Sequence, residues 1–206
     1  MSLALGVLVA DPAMLTRALD LCRGCDDAQL FLMDEGVRAA GDSRLRAAID
    51  DGLEAALCAM DAEARGATPV AGGPRFGSQF DHAVMIRDAA RVVAMTGGRI
   101  DDNEAALLES AAHARGTSDR RRVAVRLTRA ADHAKTAQAL RSAVGYAAVE
   151  LAVTIVVEPP ARALLAHDDH PAPILRALGT LRALGHRLVE VASPATRVSC
   201  DVEVSW

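Results

Sequence analysis

Aromatic side chains are scarce in this chain: one Trp, one Tyr and three Phe make up 2% of its 206 residues. Apolar residues still reach 51%, so the core has to be built from Ala, Val and Leu. A basic excess is missing too. The net charge of −4 gives no electrostatic footprint for nucleic acid, and the short run Arg120-Arg121-Arg122 reads as the flank of a strand. No apolar stretch approaches the roughly 18 residues that a membrane span needs. The apolar run within Met1 to Asp11 has no basic n-region or cleavage site, so it reads as a first strand and not a signal peptide. Neither a GxGxxG nor a P-loop occurs, and Gly72-Gly73 and Gly77 lack phosphate-binding spacing. No nucleotide or other cofactor is therefore expected. Four cysteines without secretory context read as reduced thiols in the cytoplasm.

What is present is an alternation. Apolar runs of strand length alternate with helix-period stretches, which implies an α/β fold with mostly parallel sheets. Strands are expected at Leu3–Ala10, Gln29–Met33, Leu53–Leu57 and Arg91–Met95. Helices are expected at Ala13–Arg23, Ser43–Asp50, Met60–Arg65, His82–Ala89 and Asp101–Arg115. The polar stretch Gly116-Thr117-Ser118-Asp119 reads as a boundary, dividing the chain into residues 1–116 and 120–206. After it the pattern restarts with strand Arg122–Thr128, helix Asp132–Val144, strand Leu151–Val157, helix Ile174–Leu184, strand Arg187–Ala192 and a closing strand, Val198 to Val204. The halves also match in residues. Ala18-Leu19 with Gly24 corresponds to Ala139-Leu140 with Gly145, and Asp34-Glu35-Gly36-Val37-Arg38-Ala39 to Glu158-Pro159-Pro160-Ala161-Arg162-Ala163. This self-similarity argues for two copies of one unit.

Within the first copy, Cys58 stands where the apolar run Leu53 to Leu57 stops and a helical stretch begins. Unpaired backbone N–H groups and the positive end of the dipole favour a thiolate there. The alternative is a small buried hydrophobe, a common fate of cysteine. Asp61 and Glu63 follow closely and are expected to oppose thiol ionisation. The position matching Cys58 in the second copy is Val191 or Ala192, so only the first copy carries the thiol.

Two segments together resemble a known family. Phe31-Leu32-Met33-Asp34-Glu35-Gly36-Val37 resembles the strand and acidic-Gly-Val turn after the second strand of DsrE-type sulfur-relay proteins. Leu57-Cys58-Ala59-Met60-Asp61-Ala62-Glu63-Ala64-Arg65-Gly66 resembles the stretch around their sulfur-carrying cysteine. The opening strand, helix Ala13–Arg23 and Asp88-Ala89-Ala90-Arg91-Val92-Val93 fit the same order, and the second half is similar to the cysteine-free DsrF-like form. The resemblance implies two flavodoxin-like α/β units, with Cys58 as a persulfide cysteine. It further implies sulfur donor and acceptor carrier proteins as partners, and assembly as a homo-oligomer or heteromer. A non-catalytic binding or assembly module of the same fold is the alternative.

Other residues carry weaker signals. His82 opens its expected helix and is placed to help ionise the thiol as an imidazolium, unless it merely caps the helix. Arg75 is placed to offset the acidic neighbours of Cys58, unless it is a solvated loop arginine. Cys22-Arg23-Gly24-Cys25 is a CxxC and offers a third reading, a dithiol redox protein. It closes a helix instead of opening one, so the dipole disfavours its thiolate. His167-Asp168-Asp169-His170 has metal-ligand residue types but sits before Pro171 and Pro173, so it reads as a solvated loop and no metal is expected. Cys200 reads as mid-strand core, reacting with alkylating agents more slowly than Cys58. The spacer Ala67 to Phe80 holds Gly72, Gly73, Gly77, Pro69 and Pro74. It is expected to lack regular structure and to form a mobile cover over the cysteine that docks the partner carrier.

Overall fold

Leu5-Gly6-Val7-Leu8-Val9 contains no polar side chain, and all five residues are buried as strand β1 (Leu5–Val9). A strand buried on both faces belongs inside a parallel sheet. The computed structural model describes residues 4–68, 70–95, 120–128, 133–165, 171–193 and 195–206. The chain divides into two compact units, Met1–Ser110 and Ala111–Trp206. Each is an α/β unit of flavodoxin-like architecture, a parallel sheet flanked by helices.

In the first unit β1 is followed by a 3₁₀ turn, Pro12–Met14, and by α1 (Leu15–Arg23). The Asp11 carboxylate starts that turn by accepting from the Ala13 N–H at 2.9 Å. Leu15, Ala18, Leu19 and Cys22 form the buried face of α1, the i, i+3, i+4, i+7 stripe of an amphipathic helix. Strand β2 (Ala28–Leu32), a 3₁₀ segment Asp34–Gly41, helix α2 (Ser43–Asp50) and strand β3 (Glu54–Cys58) follow. Then come α3 (Ala59–Ala64), β4 (Arg75–Gly77), α4 (Gln79–Asp88) and β5 (Arg91–Met95). The strands lie in the order β4-β3-β2-β1-β5, all parallel.

Strand alternation assigns the two faces. Leu5, Val7, Val9, Leu30, Leu32 and Leu57 cluster with α1 and α2. Gly6, Phe31 and Ala56 point the other way, under α4. Gly6 lets α4 close on the sheet: a Cβ there would lie 3.1 Å from Met85 Cγ and 3.3 Å from Ala89 Cβ. Phe31 is the one core phenylalanine, since Phe76 and Phe80 are exposed.

The second unit has β6 (Arg122–Leu127), α5 (His133–Ala148), β7 (Ala152–Val157), α6 (Pro159–Leu165), α7 (Ala172–Ala183), β8 (Arg187–Glu190) and β9 (Val202–Ser205). Its parallel sheet runs β8-β7-β6-β9, so β6, β7, β8 and β9 take the places of β1, β2, β3 and β5. The parallel reaches the acidic residue after the second strand, since Asp34 and Glu158 are both buried, at 2% and 4% exposure. Among the described residues nothing between β8 and β9 repeats α3, β4 or α4.

Three expectations change. The spacer 67–80 is not without structure: Arg75–Gly77 pairs with β3, and Ser78 caps α4, which starts at Gln79. The closing strand begins only at Val202, which leaves Cys200 ahead of it and partly buried. Helix α6 was not anticipated; Pro159 and Pro160 open it, where proline costs no hydrogen bond. The expected helix Asp101–Arg115, the boundary Gly116–Asp119 and His167–His170 lie outside the described residues. Among the described residues no helix is long and apolar enough to cross a membrane.

Candidate functional site

Cys58 is the last residue of β3 and the N-cap of α3, with φ −65° and ψ 114°. Leu57 faces α1 and α2, so Cys58 turns toward the α4 side, at the C-terminal edge of the sheet where α/β folds place their sites. β4 lies level with it, Gly77 opposite Cys58. The side-chain amide of Gln79, first residue of α4, donates to Cys58 Sγ at 3.7 Å. The thiol itself is 1% exposed, while Ala59 and Met60 just beyond it are open to solvent. The expectation that Cys58 is alkylated faster than the partly buried Cys200 loses its footing, because access favours Cys200.

Asp61, one of the two acidic neighbours, is buried. Asp61 turns inward, and its carboxylate accepts from the Asp34 backbone N–H at 2.8 Å. Arg65 then gathers the negative charge. It hydrogen-bonds Asp34, reaches Glu35 at 2.9 Å and stands 3.9 Å from Asp61. Hydrogen bonds from Arg38 and, more weakly, Arg65 hold Glu35 below the usual carboxylate range. Asp34 adopts φ +50°, a conformation Asp tolerates better than most residues. Glu63 is exposed.

His82 is not a surface cap and not an imidazolium. It lies in the fourth position of α4, fully buried, stacked on Phe31 with ring centroids 5.1 Å apart and planes 20° from parallel. Burial pushes its pKa down from the ordinary 6.5 to about 3. The sign of its pH effect follows. Between those values the unfolded chain takes up a proton that the folded chain refuses, so stability is kept above about pH 6.5 and lost as the pH falls. The expected slope approaches one proton, about 1.4 kcal/mol per pH unit. Urea midpoints measured from pH 7 to pH 4.5 should fall more steeply in the parent than in His82→Phe; parallel curves would refute this.

Arg75 does not reach toward the thiol either. Its guanidinium bonds Asp81 at 3.0 Å, and its strand neighbour is Ala56, two residues short of Cys58. Asp81 is held at about 2, first by the Ser78 hydroxyl and backbone and then by Arg75. Cys22 lies in the core face of α1, where burial, with Cys25 nearby, pushes its thiol up to about 12. Cys25 donates to the Asp27 carbonyl at 3.8 Å. The pair stands ahead of β2 and so at the opposite edge of the sheet from Cys58, and neither cysteine is in a disulfide.

Sequence reasoning missed Gln79, Asp34 and Arg65. The signals were present: Ser78 and Asp81 form a capping box that starts a helix at Gln79, and Asp61 and Arg65 stand four apart on one helical turn.

No family model matches the chain, and no curated protein matches it. Among solved structures, the crystal structure of the ychN protein from E. coli aligns with a TM-score of 0.39 and 18% identity, over 46% of this chain and 100% of that one.

Proposed function

We propose that the first unit is a sulfur carrier in which Cys58 holds sulfane sulfur as a persulfide and relays it between partner proteins. The observation that supports it best is the setting of Cys58: a thiol at the strand-to-helix pivot, with the Gln79 amide directed at its sulfur. Loading is a thiol exchange. The Cys58 thiolate attacks the outer sulfur of a donor persulfide, a new S–S bond forms as the donor's breaks, and the donor leaves as its thiolate. Delivery repeats the step, with Cys58 as leaving group and the acceptor thiolate as nucleophile. No net oxidation or reduction occurs. The Gln79 amide is placed to donate to a persulfide anion, and the nearby carboxylates Asp34 and Glu35 are paired with Arg65. Four thiols outside any disulfide agree with a reducing compartment, and we place the protein in the cytoplasm.

The 1% exposure of Cys58 favours a second reading, an assembly module of the same fold in which the thiol is packing. Intact mass after incubation with polysulfide separates the two. The carrier gains one sulfur atom, removable by dithiothreitol; Cys58→Ser abolishes the gain, and Cys22→Ser, Cys25→Ser and Cys200→Ser keep it. A gain that survives Cys58→Ser, or none in the parent, leaves the assembly module standing.

A further inference from the structure

We infer that Cys22 and Cys25 form a second reactive site, a dithiol that closes to a disulfide by exchange with small-molecule disulfides of the glutathione class. The turn at the end of α1 brings the pair together. The Cys25 backbone N–H donates to the Cys22 carbonyl at 3.0 Å, and a turn closed in this way holds its end Cα atoms less than about 7 Å apart. Disulfides bridge Cα atoms about 4.4–6.8 Å apart. The side chains also share one environment: Cys22 belongs to the apolar cluster beneath α1, and Cys25 packs against that same cluster. Burial, and after it the charge of Cys25, holds the Cys22 thiol up, so the two sulfurs lie within electrostatic reach of each other.

Their settings divide the work. α1 ends at Arg23, so Cys22 is inside the helix while Cys25 stands beyond its cap, Gly24. The end of the dipole that disfavours a thiolate therefore bears on Cys22. Cys22 is buried and Cys25 only partly so, and the two residues between them, Arg23 and Gly24, are exposed. Cys25 is the entry point. Its thiolate attacks one sulfur of the small disulfide, that S–S bond breaks, a mixed disulfide forms and one small thiolate leaves. The Cys22 sulfur then gives up its proton and attacks Cys25 Sγ, the mixed disulfide breaks, and the second small thiolate leaves. Two electrons pass from the dithiol to the small disulfide, which departs as two thiols. The fold absorbs the change. Cys25 donates to the Asp27 carbonyl at 3.8 Å, but that carbonyl also accepts from the Ala4 and Leu5 N–H groups, each at 3.1 Å, so oxidation orphans no acceptor. In a reducing compartment such a pair is a sensor, open at rest and closed when small disulfides accumulate. The inference does not depend on the chemistry of Cys58.

Intact mass of the full chain, equilibrated with mixtures of reduced and oxidised glutathione, tests it. The parent should lose two hydrogens as the oxidised share rises and regain them with dithiothreitol. Trypsin, cutting after Arg23 between the two cysteines, should release their peptides joined by the disulfide. Cys25→Ser, a change at a partly exposed position, should keep the parent's far-UV circular dichroism and lose no hydrogens. Cys22→Ala should stop at the first step and carry one glutathione on Cys25. Cys58→Ser and Cys200→Ser should lose two hydrogens as the parent does. A parent that keeps its mass at every ratio, a two-hydrogen loss that survives Cys25→Ser, or a disulfide that involves Cys58 or Cys200 would each overturn the inference. A folded Cys22→Ala chain that takes up no glutathione would overturn it as well.

Discussion

Arg126→Ala is expected to destabilise the second unit by about 3–5 kcal/mol, the cost of removing one partner from a buried ion network. Arg126 is 4% exposed on the central strand β6. Its Nε donates to Glu203 at 2.8 Å, its Nη1 to Glu158 at 3.2 Å, and its Nη2 to the Thr196 carbonyl at 2.9 Å and to Glu203 at 3.0 Å. Without the guanidinium, Glu158 stays 4% exposed with its cation gone, and the connection between β8 and β9 loses the bond that ties Thr196 to the sheet. Lysine in its place keeps the charge but not the fork, so Arg126→Lys should recover only part of the loss. Trp206 is a built-in reporter. It is the only tryptophan, 5% exposed, and its backbone N–H donates to the Arg126 carbonyl at 2.9 Å. Urea unfolding followed by its fluorescence should show the midpoint shift, and an unchanged midpoint would mean that the network contributes nothing.

Gly36→Ala is expected to be the most damaging single-methyl change in the first unit. A Cβ at Gly36 would lie 2.2 Å from Val9 O and 2.9 Å from Val9 C, which are backbone atoms of the interior strand β1 and cannot give way. The close approach is held by the Gly36 N–H, which donates to the Ala10 carbonyl at 3.1 Å and to the Met33 carbonyl at 2.9 Å. To admit the methyl, the 3₁₀ segment must lift from β1 and draw Asp34 away from Arg65 and Asp61. The cost should exceed about 3 kcal/mol, beyond ordinary overpacking. Gly41→Ala, five residues on in the same segment, meets nothing within 4 Å and should stay within about 0.5 kcal/mol of the parent. Far-UV circular dichroism against urea reads both variants, because Trp206 and Tyr146 belong to the second unit. If the two variants unfold at the same midpoint, the close approach at Val9 is not a constraint. Sulfur loading of Cys58 in Gly36→Ala should fall with the fold.

Much of the architecture was legible because local periodicity records how each residue meets solvent. Arg91–Met95 and Ser43–Asp50 fall where the pattern places them; in the structure Asp42 starts the helix, its carboxylate accepting from the Arg44 N–H at 2.8 Å. The junction at Cys58 was legible too, since an apolar run giving way to a helical period needs no knowledge of the rest of the chain. β4 was not. Three residues carry no readable period, and Arg75–Gly77 is a strand only because β3 presents it an open edge. His82 looks like any polar residue near a helix start until Phe31, fifty-one positions earlier, is stacked on it.

Neighbours a few residues away set the α/β alternation, the repeat of strands in the second half, the aliphatic character of the cores and the place of Cys58 at a strand end, so all four could be read along the chain. The chemistry around that place came from residues that folding brings together. The fold buried the thiol, set the Gln79 amide beside it, turned Asp61 inward onto the Asp34 N–H, gave Arg65 to the nearby carboxylates and Arg75 to Asp81, and left His82 neutral. The physical reason is that charge, burial and hydrogen-bond partners are set by distance in space. The groups that meet at the C-terminal edge of the first sheet come from segments 20 to 30 residues apart, and no local pattern records such a meeting.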